Sequence, residues 1–393
     1  MSVRTRRPSA EDGPVMVAAL RTPVGTAGRG LSRIGAAELA APVLGALVGR
    51  LVELGLGPDA RRLVDEVVLG NCTGPGGDVA RVAALTAGLP VEVPALTVDR
   101  QCASGLAALD VAAALLHRTG GVVLAGGVES ASTAPLRSWP GDPPTRYERA
   151  PFAPASLGDP DMGHAADVLA QRAGVSRSRQ DAYAARSHAA AAATRDGGGF
   201  DAEVVPVGTL RRDERPRAGL TAERLARLPT AFRPADDGGT VTAGNSCGVN
   251  DGAAALALVD ATTHRRLDVP GLRILATASA GVDPALPGLG LVPAVRAALA
   301  AAGLTLSDVD VVELNEAFAG QVLACCDELG LASERVCRQG GALALGHPWG
   351  ASGAVLAVRL FSQLVPAQDA RYGLAAIAAG GGQGVAMVVE RCR

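Results

Sequence analysis

One cysteine of the chain stands where the local sequence favours nucleophilic chemistry. Cys102 follows the β-like segment 95–98 and precedes an apolar run, 106–116, that only Asp110 interrupts. This order predicts a strand, a turn and a buried helix, with the Cys102 sulfur beside the free N–H groups of the first helical turn. Such a position can lower a thiol pKa below its usual value of about 8.5. We therefore expect a reactive thiol, although most free cysteines serve only in packing.

A histidine is expected close to this thiol because the chain repeats itself. Three pairs of segments match in order and with nearly equal offsets: 64–71 with 309–316, 103–105 with 351–353, and 125–127 with 379–381. We interpret this as one strand–helix domain present twice. Equivalent loops of such a pair meet at the pseudo-dyad, which would bring His347 near Cys102. A thiol beside an imidazole is the arrangement that nucleophilic thiol catalysis needs.

The composition is typical of a globular protein with reduced thiols. The 393 residues are 48 % hydrophobic and 19 % charged, enough for two or three domain-sized units. The net charge of -2 favours no nucleic-acid partner, and all 37 basic residues are arginines, which bind phosphate well. The seven cysteines and five histidines show no metal-ligand spacing, so we expect no metal site. We also expect a polar tail at 1–13, no membrane-spanning segment and a cytoplasmic protein.

The elements that must position these residues alternate between strands and helices. Uninterrupted apolar strands predict an α/β fold with a largely parallel sheet that helices cover on both faces. The pattern breaks at residues 129–239, which contain two helices, 164–173 and 177–194, and an arginine-rich irregular stretch. We predict four units: a tail at 1–13, an N-terminal half at 14–128 plus 240–262, an inserted loop domain at 129–239, and a C-terminal half at 263–393.

Several ordered motifs resemble the thiolase family, from about residue 15 to the end of the chain. They include Arg21-Thr22-Pro23, Cys102-Ala103-Ser104-Gly105, Asn250-Asp251-Gly252, Asn315-Glu316-Ala317-Phe318 and Gly346-His347-Pro348. The resemblance implies an αβαβα layered core made of two pseudo-symmetric halves. It also implies that the inserted loop domain binds coenzyme A and that the protein forms a homodimer or a homotetramer.

The resemblance further implies roles for individual residues. Cys102 would take an acyl group from a coenzyme A thioester, and His347 would accept the thiol proton. His347 and a water on Asn315 would hold a thioester oxygen, while the N–H groups of Cys102 and Gly380 would form a second oxyanion hole. Contacts with the coenzyme A substrate are implied for His164, Arg217, Ser246, Cys247 and Phe318. Coenzyme A thioester would be a substrate, and no permanently bound cofactor is implied.

The chain departs from the family pattern at Ala378. Family members carry a second cysteine there, which removes and returns the α-proton of the second acyl group. Alanine cannot accept a proton, so ordinary Claisen condensation or thiolysis is not expected. Three routes remain: decarboxylation of a malonyl-type thioester, transfer to an amine or hydroxyl, and use of Cys247 as a substitute base. The last is the weakest, because Cys247 matches a substrate-contact position.

Two other classes of function compete with an acyltransferase. The segment Gly244-Asn245-Ser246-Cys247-Gly248 fits the Gly-x-Ser-x-Gly motif of serine hydrolases, which has meaning only on a strand–turn–helix elbow. A turn signal, 250–252, follows it instead. A thiolase-like partner protein without catalysis would explain the missing base. The presence of Cys102, His347 and Asn315 in matched settings argues against it, and an acyltransferase remains the main prediction.

Overall fold

The structure is a computed structural model that describes residues 13–367 and 369–393. Residues 1–12 of the predicted tail lie outside the described residues. The strands are β1 Val15–Arg21, β2 Gly25–Thr26, β3 Val64–Gly70, β4 Ala95–Val98, β5 Val122–Ser130, β6 Arg137–Trp139, β7 Thr145–Tyr147, β8 Asn250–Val259, β9 Gly271–Gly281, β10 Val311–Leu314, β11 Tyr372–Ala379 and β12 Gln383–Cys392. The helices are α1 Ala36–Leu51, α2 Val79–Thr86, α3 Ser104–Thr119, α4 Met162–Arg172, α5 Arg177–Asp196, α6 Ala222–Leu225, α7 Ala261–Leu267, α8 Leu291–Ala302, α9 Ala319–Leu329, α10 Ala342–Leu345 and α11 Trp349–Leu364.

Ten strands form one mixed sheet, so the prediction of a largely parallel sheet is wrong. Its order is β10-β11-β12-β9-β1-β8-β5-β3-β4, with β2 beside β8. Only β3 with β4, β3 with β5, and β10 with β11 run parallel among the described pairs. The central strands are buried on both faces; in β8 all ten residues are buried. Such strands are apolar throughout whichever way they run, and the sequence therefore could not distinguish the two directions.

The layers follow the predicted αβαβα order. Helices α1 and α2 pack on one face of the half-sheet that contains β1, β8, β5 and β3. Helices α3 and α11 lie between this half and the half that contains β9, β12 and β11. Helices α8 and α9 cover the far face of the second half. The predicted α/β fold with two halves around a shared central layer is confirmed.

The two central helices touch where each of them begins. A Cβ added to Gly105 would lie 2.8 Å from both the Ala354 nitrogen and the Gly350 oxygen, and one added to Gly353 would collide with the Leu106 backbone. Gly105 and Gly353 occupy equivalent places in the internal repeat. This contact requires glycine in both helices, and it brings together the turns that carry the cysteine and the histidine.

Residues 129–239 contain α4, α5, the short α6 and a two-stranded sheet of β6 and β7. The two helices agree with the prediction to within two residues, but the polar sequence gave no signal for the small sheet. Buried ion pairs anchor this segment to both halves. Arg21 of β1 pairs with Glu203 and Asp213, each at 2.7 Å, and Arg359 of α11 pairs with Glu203.

One described helical segment, 36–56, is apolar and long enough to cross a membrane, contrary to the expectation from the sequence. The mean hydropathy of an 18-residue window within it is 1.7. Nine residues of α1 are buried, and eight of them belong to the hydrophobic core that α1 and α2 form with the first half-sheet. A helix that covers a sheet in a large core meets the same criteria of length and apolarity as a membrane span.

Candidate active site

Cys102 lies in a tight turn between β4 and α3. Gln101 adopts a left-handed conformation with φ of 49°. The Ser104 hydroxyl secures the turn, since it donates to the Gln101 carbonyl at 2.6 Å and accepts from the Arg100 N–H at 2.8 Å. The sulfur lies against two backbone N–H groups, those of Cys102 itself and of Gly380. These are the two donors that the family resemblance implies for an oxyanion hole.

The thiol of Cys102 is not activated by its position, which corrects the expectation from the sequence. Burial, with a smaller contribution from the charge of Glu129, raises the pKa of the thiol to about 12. The N–H groups of Cys102 and Gly380 act in the opposite direction but have a smaller effect. Loss of hydration therefore outweighs the favourable dipoles of the turn. The thiol needs a base to ionise near neutral pH.

His347 has the properties of that base. It is 2 % exposed, its backbone N–H donates to Asn250 Oδ1 at 2.9 Å, and its Nδ1 lies 2.6 Å from Ser352 Oγ. The other ring nitrogen, Nε2, is buried without a partner. Burial lowers the pKa of the imidazole to about 4, so the ring is neutral at pH 7. When Nδ1–H donates to Ser352, the lone pair of Nε2 is free to accept a proton.

Two cavities meet at Cys102. The outer cavity, of about 280 Å³, is lined by Cys102, Gly380, Arg137, Arg149, Phe152 and Trp349. The inner cavity, of about 30 Å³, is lined by Cys102, Asn315, Phe318, Gln321, Leu169 and Ala378. Cys102 thus lines both cavities, Asn315 and Phe318 line the inner one, and Gly380 lines the outer one. Trp349, which lines the outer cavity, is two residues from His347.

The inner cavity lacks the second base that thiolases carry. Ala378 is the penultimate residue of β11, and its side chain faces the inner cavity beside Cys102. Among the described residues that line this cavity, Cys102 is the only one with a titratable side chain. The cavity can hold a group next to the sulfur, but it offers nothing that could remove a proton from carbon.

Cys247 and Ser246 lie in the loop that leads into β8. The Cys247 thiol is close enough to Cys102 for a thiolate there to raise its pKa, and burial brings that pKa to about 12. A buried thiol of this kind is a poor substitute base. The Ser246 hydroxyl donates to the Thr242 carbonyl at 2.7 Å, and a strand follows the loop instead of a helix. The nucleophile elbow of a serine hydrolase is therefore not formed.

A positive cluster, consisting of His188, Arg215 and Arg217, lies in the inserted segment. Arg217 is exposed, whereas His188 is 3 % exposed. Burial and the two arginines lower the pKa of His188 to about 4. His188 Nδ1 and Arg215 Nε are buried without hydrogen-bond partners, and an anion would suit the N–H of Arg215. Sequence reasoning identified only Arg217, because the alanine-rich sequence around His188 gives no sign of its neighbours.

The remaining predicted contact, His164, is exposed on the first turn of α4 and lines neither cavity. Met162, two residues before it, lines both cavities. In the described part of the chain, no group of three or more histidine, cysteine, aspartate or glutamate side chains is placed to hold a metal ion.

Substituting His188 by glutamine should change how stability depends on pH. The pKa of His188 is about 4 in the folded chain and about 6.5 in an unfolded one, so between these values only the unfolded state binds the proton. Stability is therefore lost as the pH falls through this window. Urea unfolding gives the free energy of unfolding of both proteins at pH 7 and pH 4.5. Between pH 7 and pH 4.5, His188→Gln should gain on the order of 2 kcal/mol of stability relative to the unmodified protein. Parallel changes in the two proteins would contradict the burial of a neutral imidazole.

Known proteins resemble this chain over nearly its whole length. Residues 14–262 match the family model for the thiolase N-terminal domain, and residues 269–391 match that for the thiolase C-terminal domain. An acetyl-CoA acetyltransferase of Pseudomonas aeruginosa is 44 % identical over 398 residues, which cover 96 % of this chain and 99 % of that protein. The beta-ketoadipyl-CoA thiolase of the same organism is 43 % identical and covers 95 % of this chain and 98 % of its own. A crystal structure of Bacillus anthracis acetyl-CoA acetyltransferase has a TM-score of 0.88 and 37 % identity, and covers 97 % of this chain and 99 % of that one. The chain belongs to the thiolase family.

Proposed function

We propose that the chain takes an acyl group from a coenzyme A thioester onto Cys102 and passes it to an acceptor. As a thiolase-family member it is an acyltransferase, and relatives are named for acetyl-CoA and beta-ketoadipyl-CoA. The observation that carries the proposal is the meeting of two cavities at Cys102, with Ala378 where a second cysteine would stand. Loading is supported, whereas Claisen condensation or its thiolytic reverse lacks its base.

Loading begins with the thioester in the outer cavity. His347 Nε2 takes the proton of the Cys102 thiol, and the sulfur attacks the thioester carbon. The N–H groups of Cys102 and Gly380, which already point at the sulfur, would hold the oxygen of the tetrahedral intermediate. Donors of this kind each contribute a factor of about 10²–10³ to the rate. The intermediate then collapses: its bond to the coenzyme A sulfur breaks, the His347 imidazolium gives its proton to that sulfur, and free coenzyme A and acyl-Cys102 remain.

Asn315 would act through a bound water. Its Oδ1 is buried without a partner, and the residue lines the inner cavity beside Cys102. A water that donates one hydrogen to Oδ1 can turn its other hydrogen to a thioester oxygen, next to the ring of His347. This supports the role that the resemblance implies for the pair.

The inserted segment, 129–239, supplies the positive charge for coenzyme A. Arg137 and Arg149 line the outer cavity; Arg149 also pairs with Asp159 at 2.8 Å. In the positive cluster, the unpaired buried N–H of Arg215 and the exposed guanidinium of Arg217 suit the phosphates of the substrate. Phe318, which lines the inner cavity, remains a proposed contact of the thioester, as do Ser246, Cys247 and His164, which line neither cavity.

The protein is proposed to assemble as a homodimer or homotetramer. Strand β4 is the last strand of the sheet, and its four residues, Ala95–Val98, carry no charge that would block pairing with a second copy. Leu136 and Trp139, near and in β6, are 80 % and 50 % exposed. Both features support burial of these surfaces against other subunits.

Rapid-quench mixing with acetyl-CoA tests the loading step. We expect a burst of free coenzyme A equal to one molecule per chain, with the acetyl group on the Cys102 peptide by mass spectrometry. Cys102→Ala should show no burst, and Cys247→Ala should retain it because that thiol is not the nucleophile. If a folded sample gives no adduct with acyl-CoAs of several chain lengths, a partner protein without catalysis becomes the better account.

A further inference from the structure

The size and the lining of the inner cavity restrict which acceptor can reach Cys102. Its lining includes Cys102, Ala378 and residues of α4 and α9. One water needs about 10–15 Å³ of such space, so about 30 Å³ accommodates about two water-sized groups. The cavity is therefore too small for a second coenzyme A arm, but it can take the reactive end of a small molecule.

Two residues that line this cavity, Asn315 and Gln321, each carry an amide oxygen without a hydrogen-bond donor. Gln321 is 3 % exposed; its Nε2 donates to the Gly288 carbonyl at 3.2 Å, which leaves Oε1 buried without a partner. Asn315 Oδ1, on a residue also 3 % exposed, is unpaired as well. A buried acceptor without a donor is unfavourable because it has lost its water and gained no partner. The polar atoms of the cavity thus call for O–H or N–H groups.

The same lining disfavours carbon nucleophiles. A malonyl-type carboxylate placed here would meet two carbonyl oxygens and apolar side chains such as Leu169 and Phe318, with no cation on the cavity wall in the described part of the chain. Removal of a proton from carbon would need a base, and the one titratable lining residue, Cys102, already carries the acyl group. Of the acceptor routes left open by the sequence, transfer to a heteroatom fits this cavity best.

We infer that the inner cavity binds a small amine or hydroxyl acceptor whose N–H or O–H donates to Gln321 Oε1. The inference rests on the proposed function, because it requires acyl-Cys102. The acceptor's lone pair attacks the acyl carbon, a C–N or C–O bond forms, and the C–S bond breaks. The proton lost by the acceptor passes to His347 Nε2 and then to the Cys102 sulfur. The products are an amide or an ester and the free thiol.

Discharge of the acetylated protein tests this assignment. The protein is loaded with acetyl-CoA, and acetyl-Cys102 is followed by intact mass with methylamine, methanol, malonyl-CoA or buffer alone. We expect methylamine or methanol to shorten the adduct lifetime at least tenfold relative to buffer, with formation of N-methylacetamide or methyl acetate. Malonyl-CoA should not shorten it.

Two variants distinguish discharge that depends on the cavity from uncatalysed reaction of the thioester with the added nucleophile. Gln321→Leu keeps the shape but removes the acceptor atom, and Ala378→Val fills the space beside the sulfur; both should load acetyl groups yet lose most of the acceleration. Gln171→Leu, outside the cavity on α4, is the matched control and should behave like the unmodified protein. Discharge to malonyl-CoA, or equal lifetimes in all four solutions, would overturn the inference and leave the loading step intact. Absence of any acetyl adduct would overturn the proposed function itself.

Discussion

Replacing Ala378 by cysteine should raise the rate of acetoacetyl-CoA thiolysis by a factor of about 10²–10⁴, the usual contribution of a positioned acid–base group. Ala378 faces the inner cavity beside Cys102, and the cavity has room for a sulfur atom there. The new thiol would stand where it can return a proton to the α-carbon as the carbon–carbon bond breaks. Loss of the acetoacetyl-CoA enolate absorbance measures the rate.

Ala378→Ser is the matched control for this gain, since it adds an atom at the same place but only a weak base. The thiolysis rate of Ala378→Ser should remain close to that of the unmodified protein. Thiolase-level turnover without any substitution would contradict the inference from Ala378. It would mean that another group, with Cys247 the nearest candidate, performs the proton transfer.

Replacing His347 by glutamine should slow the loading of Cys102 by a factor of about 10²–10⁴ at pH 7. Burial raises the pKa of the Cys102 thiol to about 12, so free thiolate is scarce at pH 7 and attack depends on transfer of the thiol proton to a neighbouring base as the new C–S bond forms. The imidazole, with a pKa of about 4, remains a neutral base from neutral pH down to about 5. Single-turnover release of coenzyme A measures loading in both proteins.

The pH profile shows whether His347 acts as the base or only supports the fold. The unmodified protein should load at a nearly constant rate from pH 5 to 8, whereas His347→Gln should gain about tenfold per pH unit as free thiolate forms. Ser352→Ala, which removes the partner of Nδ1, should lose less, because it disturbs only the orientation of the ring. Wild-type loading by His347→Gln would refute the assigned role.

Much of the fold could be predicted from the sequence because buried strands and helices show as runs of apolar residues. The apolar runs predicted a strand at 95–98, which matches the bounds of β4, and a helix that begins at Ser104, which is α3. Strand direction depends on pairing between distant segments, so the antiparallel neighbours of β8 were not predictable from its ten buried residues. The small sheet of β6 and β7 consists mainly of polar, exposed residues, which carry no such trace.

The position of the site could be predicted from the sequence, but the chemical state of its groups could not. The repeat pointed to an approach of Cys102 and His347, and the contact of Gly105 with α11 explains how their turns come together. The state of the thiol was predicted wrongly, because desolvation depends on everything packed around the sulfur. Gln321 and His188 were missed for the same reason. An unpaired buried atom is defined by its surroundings in space and not by its neighbours in the chain.

The central claim is that Cys102 accepts acyl groups while the site cannot remove an α-proton. A single incubation with acetyl-CoA and isotopically labelled coenzyme A in D₂O tests both parts, when the mass of the recovered acetyl-CoA is measured. We expect the coenzyme A label to enter acetyl-CoA in a reaction that Cys102→Ala abolishes, with no enzyme-dependent deuterium in the methyl group. Deuterium entering as fast as the label, or no exchange of coenzyme A at all, would contradict the account.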